Sequence, residues 1–481
     1  MARIDIKNLN MGGIADSDYL GAENSVAEMV GLDIHSVAGL IKLNQKLVKD
    51  SGSTVTEFCR AKVSCSNGST YWFGDAGGIY ERTSGGTWSK VVNLVAPAAG
   101  SVAIKGAAEH DGYIYYAMQS RLGRIAVPAA GGSWAGRDDN WATFTNADAD
   151  WHPMKIVNLV LYIGDGNLVA QVEDGVFTAN ALDLKIGLRI KALGRDDTNL
   201  LIGTFAAANV AETEILSWNT WSVSYSVADT IPEVGINAFL EADNIVIINA
   251  GVKGNTYTFN GSKAELYVQI KGDWSSTNKA VVHPEATFNF NGLPLFGLSQ
   301  QTGTGVNLGV YSLGRTNRKY PYVLNLDFPI SERSGGNLVL TGIEIGAIVG
   351  IGDQFLVSWK NGSTYGVDLL SLTLKIESGY FITRVASIDR LAQDNFGSVS
   401  VPYRSLPAST AIKVHRKVNH AVTFTEFDGT TEMETDTDRM VRRTTKNIGE
   451  ANTVQVKVEL TPNSNATPEV ERAIIEVNVD Q

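Results

Sequence analysis

An all-β fold is predicted by three observations. Turn–strand–turn–strand segments recur along most of the chain. The composition couples many tight-turn residues, 48 Gly, with only 12 Pro. Long stretches with a 3.6-residue apolar period are missing. The recurring segments begin at Ser66, His110, Val157, Asp196, Ala242, Phe290 and Ile351. Their first strands centre on Trp72, Tyr115, Tyr162, Ile202, Ile247, Leu295 and Leu356, spaced 43, 47, 40, 45, 48 and 61 residues apart. A period of about 40–50 residues is the mark of a β-propeller, because a lone blade cannot cover its two faces and a ring of blades can. Seven hairpins predict seven blades, within a range of six to eight. Stacked sheets or sandwiches are the competing arrangement.

The elements follow in chain order. Residues 1–35 read as a polar, Gly-rich arm, with Met1–Glu28 free to order against a neighbour. Ala38–Val48 is strand-like and precedes the first hairpin, so it can serve as the outer strand of the last blade and close the ring. Residues 36–388 form the propeller. Thr87–Val92, Ala142–Phe144, Leu188–Ala192 and Ser222–Val227 are candidate outer strands. Asn24–Val30 and Leu391–Asn395 are candidate single helical turns. Residues 389–481 change character: FGSVSVPYRSL, TAIKVHRKV, NTVQVKVELT and ERAIIEVNV alternate as strands of a small β-sandwich. Asp428–Lys446 is strongly charged and reads as a loop or an exposed hairpin.

The turns carry their own chemistry. The pentapeptide NGSTY occurs at Asn67–Tyr71 and again at Asn361–Tyr365. Asn-Gly tolerates positive φ at both positions and is a strong hairpin signal. Asn67, Asn260, Asn361 and Asn465 also satisfy the glycosylation sequon, but MARIDIKNLNMGG lacks the apolar stretch of an export signal. The two copies stand in different registers, one entering a hairpin's first strand and the other leaving it. They are shared turn chemistry and no proof of a duplicated blade.

Composition excludes several classes. A net charge of −11 argues against general nucleic-acid binding. No apolar run reaches 18 residues, so no membrane span is expected. Two cysteines, Cys59 and Cys65, predict buried reduced thiols. Thr83–Trp88, TSGGTW, resembles the Asp-box turn of sialidases, but Thr83 replaces the Asp and no second copy occurs. Asp165, Glu173, Asp196, Asp197 and Asp243 are acids that a glycosidase would need in a pair. Their place in tight turns predicts that they accept local backbone hydrogen bonds instead. Gly131–Ala135 lacks the last Gly of a nucleophile elbow, and HExxH and Walker motifs are missing. His415 and His420 have no metal spacing, and Asp148 with Asp150 is the one weak calcium candidate. No cofactor is implied and no catalytic residue is assigned.

Two segments are candidates for recognition. Trp134, Trp141 and Trp151 lie within 18 residues among small polar and charged residues. Exposed rings there would stack on glycans; the alternative is packing between blades. Of Trp218 and Trp221, one is expected at the surface. Arg439, Arg442 and Arg443 could pair with acids across a subunit interface, the alternative being a solvated loop.

GGIADSDYLGAENSV near the N-terminus, repeat cores such as AAEHDGYIYYAMQSRLGRIAV and IPEVGINAFLEADNIVIINAGVKGNTYTFNG, and the VPYRSLPASTAIKVHRKV module together resemble structural tail proteins of tailed bacteriophages. The plan is similar to the propeller proteins of tail nozzles or hubs. That resemblance implies a non-enzymatic virion subunit, homo-oligomeric in a ring around the DNA exit channel and assembled in the host bacterial cytoplasm. Its implied partners are itself, a portal or adaptor ring, other tail proteins and tail fibres. Genomic DNA would pass transiently, without sequence-specific binding. The alternatives are a receptor- or glycan-binding tail component and a glycan-cleaving propeller enzyme.

Overall fold

A computed structural model gives the fold of the chain. It describes residues 2–95, 101–206, 212–272, 274–275, 279–300, 309–331, 342–387, 395–427, 433–438, 440–449 and 452–479. The chain forms two compact units, one made of Val48–Gly309 and Val339–Leu370, the other of Met1–Leu47, Val310–Leu338 and Ser371–Gln481. This division differs from the three consecutive segments 1–35, 36–388 and 389–481. The second unit takes strands from both chain ends and from an insertion inside the repeat, which a linear reading of composition does not reveal.

The first unit is a β-propeller. Blades 1 to 5 are complete four-stranded antiparallel sheets, running Cys59–Asn93, Gly106–Thr143, Met154–Asp183, Leu188–Ile231 and Ile236–Gln269. Blade 6 supplies the hairpin Thr287–Phe290 and Leu293–Gln300, with Ala280–Val281 paired to the hairpin's second strand. Blade 7 runs Ile343–Ile351, Gln354–Asn361 and Thr364–Lys375, and its fourth strand is Gln45–Lys49 from near the N-terminus. The innermost strand of each blade packs on that of the next, and Ile343–Ile351 returns to Cys59–Ser64, so seven blades close a ring. The strand from the Ala38–Val48 stretch therefore closes the last blade, as expected. Asp50 N donates to Val367 O at 2.9 Å, and Val367 N donates to Ser51 Oγ at 3.0 Å, extending that closure.

All seven expected strand centres, from Trp72 to Leu356, lie on the second strand of their blade and are buried. Leu188–Ala192 is corrected: it belongs to the innermost strand of blade 4, and the outer strand of blade 3 is Val176–Asp183. Both segments interleave apolar and polar residues, so their pattern alone does not separate them. The last and first blades are also joined by Ser358, whose buried hydroxyl donates to Cys59 O at 2.6 Å and accepts from Ala347 N at 2.9 Å. Gly346 allows this approach, since a Cβ there would lie 2.0 Å from Cys59 O. Both NGSTY copies are turns, with Gly68 and Gly362 at φ 84° and 58°. The first joins strands one and two of its blade and the second joins strands two and three. Cys59 and Cys65 are buried free thiols.

The second unit is a β-sandwich. One sheet has the order Ala2–Ile6, Ala473–Val479, Asn395–Ser405, Val441–Gly449, Met433–Asp436. The facing sheet runs Gly309–Gly314, Val323–Phe328, Glu28–Val30, Gly379–Ile382, Thr453–Thr461, Ala411–Val418, Thr425–Glu426. Val399, Val401 and Ile475 of the one sheet pack with Met29, Val414, Val456 and Val458 of the other in a single core. The arm is corrected: Ala2–Ile6 pairs antiparallel with the chain's own C-terminal strand, from Ala2 opposite Val477 to Ile6 opposite Ala473. Asn24–Val30 is no helical turn, because Glu28–Val30 is a strand, and 391–394 lie outside the described residues. Val441–Gly449 and Met433–Asp436 form a hairpin within the charged segment.

A polar cluster is sealed inside this unit. Asn44 and Asn325 donate to one oxygen of the Asp327 carboxyl at 2.8 and 2.9 Å, and His35 Nε2 lies 3.1 Å from Ser312 Oγ. Burial pushes the Asp327 carboxyl up to about 7, against hydrogen bonds that favour its charged form. Burial likewise lowers His35 to about 4, with Asp33 opposing.

Candidate functional site

Two of the propeller's innermost strands, Cys59–Ser64 and Leu188–Asp196, alternate apolar and charged residues. In Cys59–Ser64, Cys59, Ala61 and Val63 are buried while Arg60 and Lys62 share the other, wetter face. In Leu188–Asp196, Ile190 and Ala192 are buried, and Arg189 and Lys191 alternate with them. Period-two patterning in such strands thus brings charges from separate blades to a common lumen. Among the described residues, cavities open at both ends of these strands.

The wider cavity, about 440 Å³, is lined by residues of blades 1 to 6, among them Lys62, Glu109, Lys155, Arg195, Glu241 and Glu285. Its charges are matched. Lys62 pairs with Glu285, and Glu241 pairs with Lys155 and, at 3.4 Å, with Arg195. Glu109 accepts from Ser66 N at 2.7 Å.

The narrower cavity, about 20 Å³, lies at the opposite ends of the same strands, against Arg60, Lys105, Asp150, Trp151, His283 and Glu285. Glu344 nearby is held down at about 2: burial works against its charge, but His283 at 3.7 Å and the Lys360 ammonium at 2.8 Å outweigh it. Burial keeps His283 below the ordinary imidazole range. Burial also lowers Lys105, reinforced by Arg60, and brings Lys191 to about 8, reinforced by Lys279.

The three tryptophans do not form one surface. Trp134 is corrected as a contact residue: it is 3% exposed and packs on Tyr71, Phe73 and Tyr116 between blades 1 and 2. Trp141 lies between Tyr115 and Phe177, with the Arg124 guanidinium 4.2 Å from its ring centre. Trp151 packs on Phe205 under Arg189 and Lys191. Of the other pair, Trp218 is buried and Trp221 exposed. Arg442 is half-buried and Arg443 exposed on the hairpin strand opposite Val401 and Ser400, while Arg439 lies outside the described residues.

Of the candidate acids, Asp165 has structural work, while Asp196, Asp197 and Asp243 line a cavity of about 480 Å³ with Arg195 and Glu241. Asp165 is buried and accepts from Asn146 N at 2.7 Å and Asp148 N at 3.2 Å, fixing the loop between blades 2 and 3. Asp148 binds Arg189 at 2.6 Å, and Asp150 binds the same guanidinium at 2.9 Å, which replaces the calcium reading. Thr83 Oγ1 accepts from Thr87 N at 3.2 Å, supplying the turn bond that an Asp would make. Among the described residues no group of three or more His, Cys, Asp or Glu is placed to hold a metal. No described helix is long and apolar enough to cross a membrane.

Sequence reasoning missed the lumen cations, although CRAKVS and LRIKALGRD carry the signal: charges at alternate positions of otherwise apolar strands. It also missed Glu57 and Glu233, each just before an innermost strand. Glu57 accepts from Tyr80 OH at 2.8 Å and Glu233 from Tyr257 OH at 3.0 Å, tying the third strand of blades 1 and 5 to the strand entry.

Neither a known protein family nor a curated protein sequence matches the chain. Solved structures, β-propellers among them, do resemble it. The WD40 propeller domain of Doa1 is 9% identical with a TM-score of 0.43, over 68% of this chain and 97% of that one. The Cps50 (Swd1) propeller domain of Myceliophteria thermophila is 12% identical with a TM-score of 0.41, over 68% and 100%. Raptor of Chaetomium thermophilum is 8% identical with a TM-score of 0.47, over 69% of this chain and 29% of that chain. The fold is a β-propeller. Likeness of this degree carries nothing about activity or partners.

Proposed function

We propose that the protein is a non-enzymatic structural subunit of a tailed-phage virion, working as one copy in a homo-oligomeric tail ring. The observation that carries the assembly reading is an exposed apolar patch on blades 3 and 4. Leu159 is 87%, Trp221 86% and Val223 97% exposed. Asn158 Nδ2 donates to Thr220 Oγ1 at 3.3 Å and to Thr198 O at 3.0 Å, which holds the turns carrying Leu159 and Trp221 side by side. Val176, also exposed, follows the neighbouring turn of blade 3. Large apolar side chains gathered at blade turns mark an interaction surface. The virion setting rests on the resemblance of the N-terminal segment, the repeat cores and the C-terminal module to phage tail proteins. A propeller whose Asp165 holds backbone amides, and whose lumen acids are largely ion-paired, suits a scaffold better than a hydrolase.

The glycan-binding reading loses support, because Trp134 is buried and Trp141 and Trp151 are each packed against other rings and cations. Light scattering on the purified full chain tests the proposal. Wild type should form a discrete ring-sized oligomer, and the double variant Trp221→Glu/Val223→Glu should fall to smaller species while keeping its β-rich circular dichroism. A wild-type chain that stays monomeric at tens of micromolar, alone and with other tail components, would overturn it.

A further inference from the structure

The apolar patch on blades 3 and 4 is bordered by carboxylates. Its turns join strands one and two, or strands three and four, so within each antiparallel blade they stand at the same end. Asp174 and Gly175 form the turn that leads to Val176, and Asp197 precedes Thr198, whose carbonyl Asn158 holds. Both acids are exposed at turn positions, with φ 49° and 51°. Asp197 also opens onto the cavity of about 480 Å³ where Asp196, Asp197, Glu241 and Asp243 face the one guanidinium of Arg195. Arg195 and Lys155 are spent on Glu241. Among the described residues Asp174 and Asp197 have no ion-pair partner. A segment that covers Leu159, Trp221 and Val223 therefore meets negative charge beside them, and should be basic as well as apolar.

The chain carries such a segment. Between Gly309–Gly314 and Val323–Phe328 of the sandwich unit, the loop Arg315–Tyr322 reads RTNRKYPY. Arg318, Lys319 and Pro321 are exposed. Lys319 N donates to Asn317 Oδ1 at 2.9 Å and Tyr320 N to Asn317 O at 3.0 Å, which fixes the turn presenting them. Among the described residues neither Arg318 nor Lys319 has an ion-pair partner, so no acid of the same chain already claims them. We propose that this loop of one copy docks on the blade 3–4 patch of the next. Arg318 and Lys319 face Asp174 and Asp197, and the Tyr320–Pro321 segment lies against Leu159 and Trp221. The inference rests on the assembly reading and supplies the second surface it needs, since a ring is built by head-to-tail contact of two unlike patches. Exposed ion pairs contribute little by themselves. Here the apolar side chains carry the affinity, and the charges select the partner and its orientation.

A double-mutant cycle on the full chain tests it, with assembly followed by light scattering over a concentration series. Arg318→Glu/Lys319→Glu should raise the dissociation constant at least about a hundredfold, because like charges then meet. Asp174→Asn/Asp197→Asn, which keeps side chains suited to positive φ, should raise it about tenfold. In that Asn background the loop reversal should lose most of its effect, which is the coupling that direct contact requires. Circular dichroism of each variant should match wild type, since all four positions are exposed. A wild type that stays monomeric sinks the assembly reading and this inference with it. An oligomeric wild type that both charge variants leave intact overturns this inference alone. So does a loop reversal that weakens assembly equally in both backgrounds.

Discussion

Replacing Asp327 by Asn should stabilise the sandwich unit, and should do so only on the alkaline side. The carboxyl is fully buried, and its ordinary value of 3.8 is pushed up to about 7. A group raised in the folded state holds its proton there while the unfolded chain releases it. Its contribution to stability is therefore greatest below pH 3.8 and is lost as pH rises through 7. About 3 units at 1.36 kcal/mol each gives about 4 kcal/mol lost by pH 8.5, and under about 2 kcal/mol near pH 5. Asn keeps an acceptor for the Asn44 and Asn325 amides and has no charge to bury. Guanidinium denaturation at pH 5 and pH 8.5, read as the free energy of the sandwich transition, should show the variant gaining steadily with pH. His35 runs the other way. Lowered from 6.5 to about 4, it contributes stability above pH 6.5 that is lost as pH falls toward 4, about 3 kcal/mol in all. Between pH 4 and 6.5 the two slopes nearly cancel in wild type, and His35→Gln should uncover the Asp327 slope alone. A variant Asp327→Asn that gains the same at both pH values, or nothing at pH 8.5, would refute the reasoning.

Ser358→Ala should cost about 1–3 kcal/mol of propeller stability by leaving Ala347 N and Cys59 O without their shared hydroxyl, measured by chemical denaturation. Gly346→Ala should cost more than that, because its Cβ meets Cys59 O at 2.0 Å and backbone must shift; thermal melting should show it. Trp134→Ala should destabilise by about 3–5 kcal/mol through a cavity between blades 1 and 2, while leaving any glycan retention on affinity resin unaltered. Deleting residues 2–6 removes an edge strand that, among the described residues, pairs with Ala473–Val479 alone; limited proteolysis should open the C-terminal strand first and leave Val48–Gly309 protected.

The propeller was legible because a blade's second strand is buried on both faces, so its sequence is an apolar run bounded by turns. Seven such runs gave seven correct centres, Trp72 through Leu356. Innermost and outer strands were harder. Leu188–Asp196 mixes Arg189, Lys191 and Arg195 with Ile190 and Ala192, and reads as half-exposed, although it lines the lumen. The wetting of a lumen and the wetting of a rim leave the same period-two trace in sequence. The sandwich boundaries failed for a different reason. Strand pairing such as Ala2 with Val477, or Val30 with Leu326, joins residues hundreds of positions apart, and nothing local records it.

The recognition residues show the same limit from the chemical side. Trp134, Trp141 and Trp151 are close in sequence and looked like one surface, yet each is claimed by a different pair of blades. Arg60 and Lys105 belong to different blades, yet the ring turns both toward one mouth. In a propeller, neighbours along the chain separate radially, while positions one repeat apart converge at the axis. A search for function in such a chain should therefore compare equivalent positions across repeats. Compared that way, Arg60 and Lys105 emerge as charged residues at or just before the first strands of adjacent blades, and the tryptophans fall away as unlike positions, Trp134 and Trp141 in blade 2 and Trp151 in the loop that follows it.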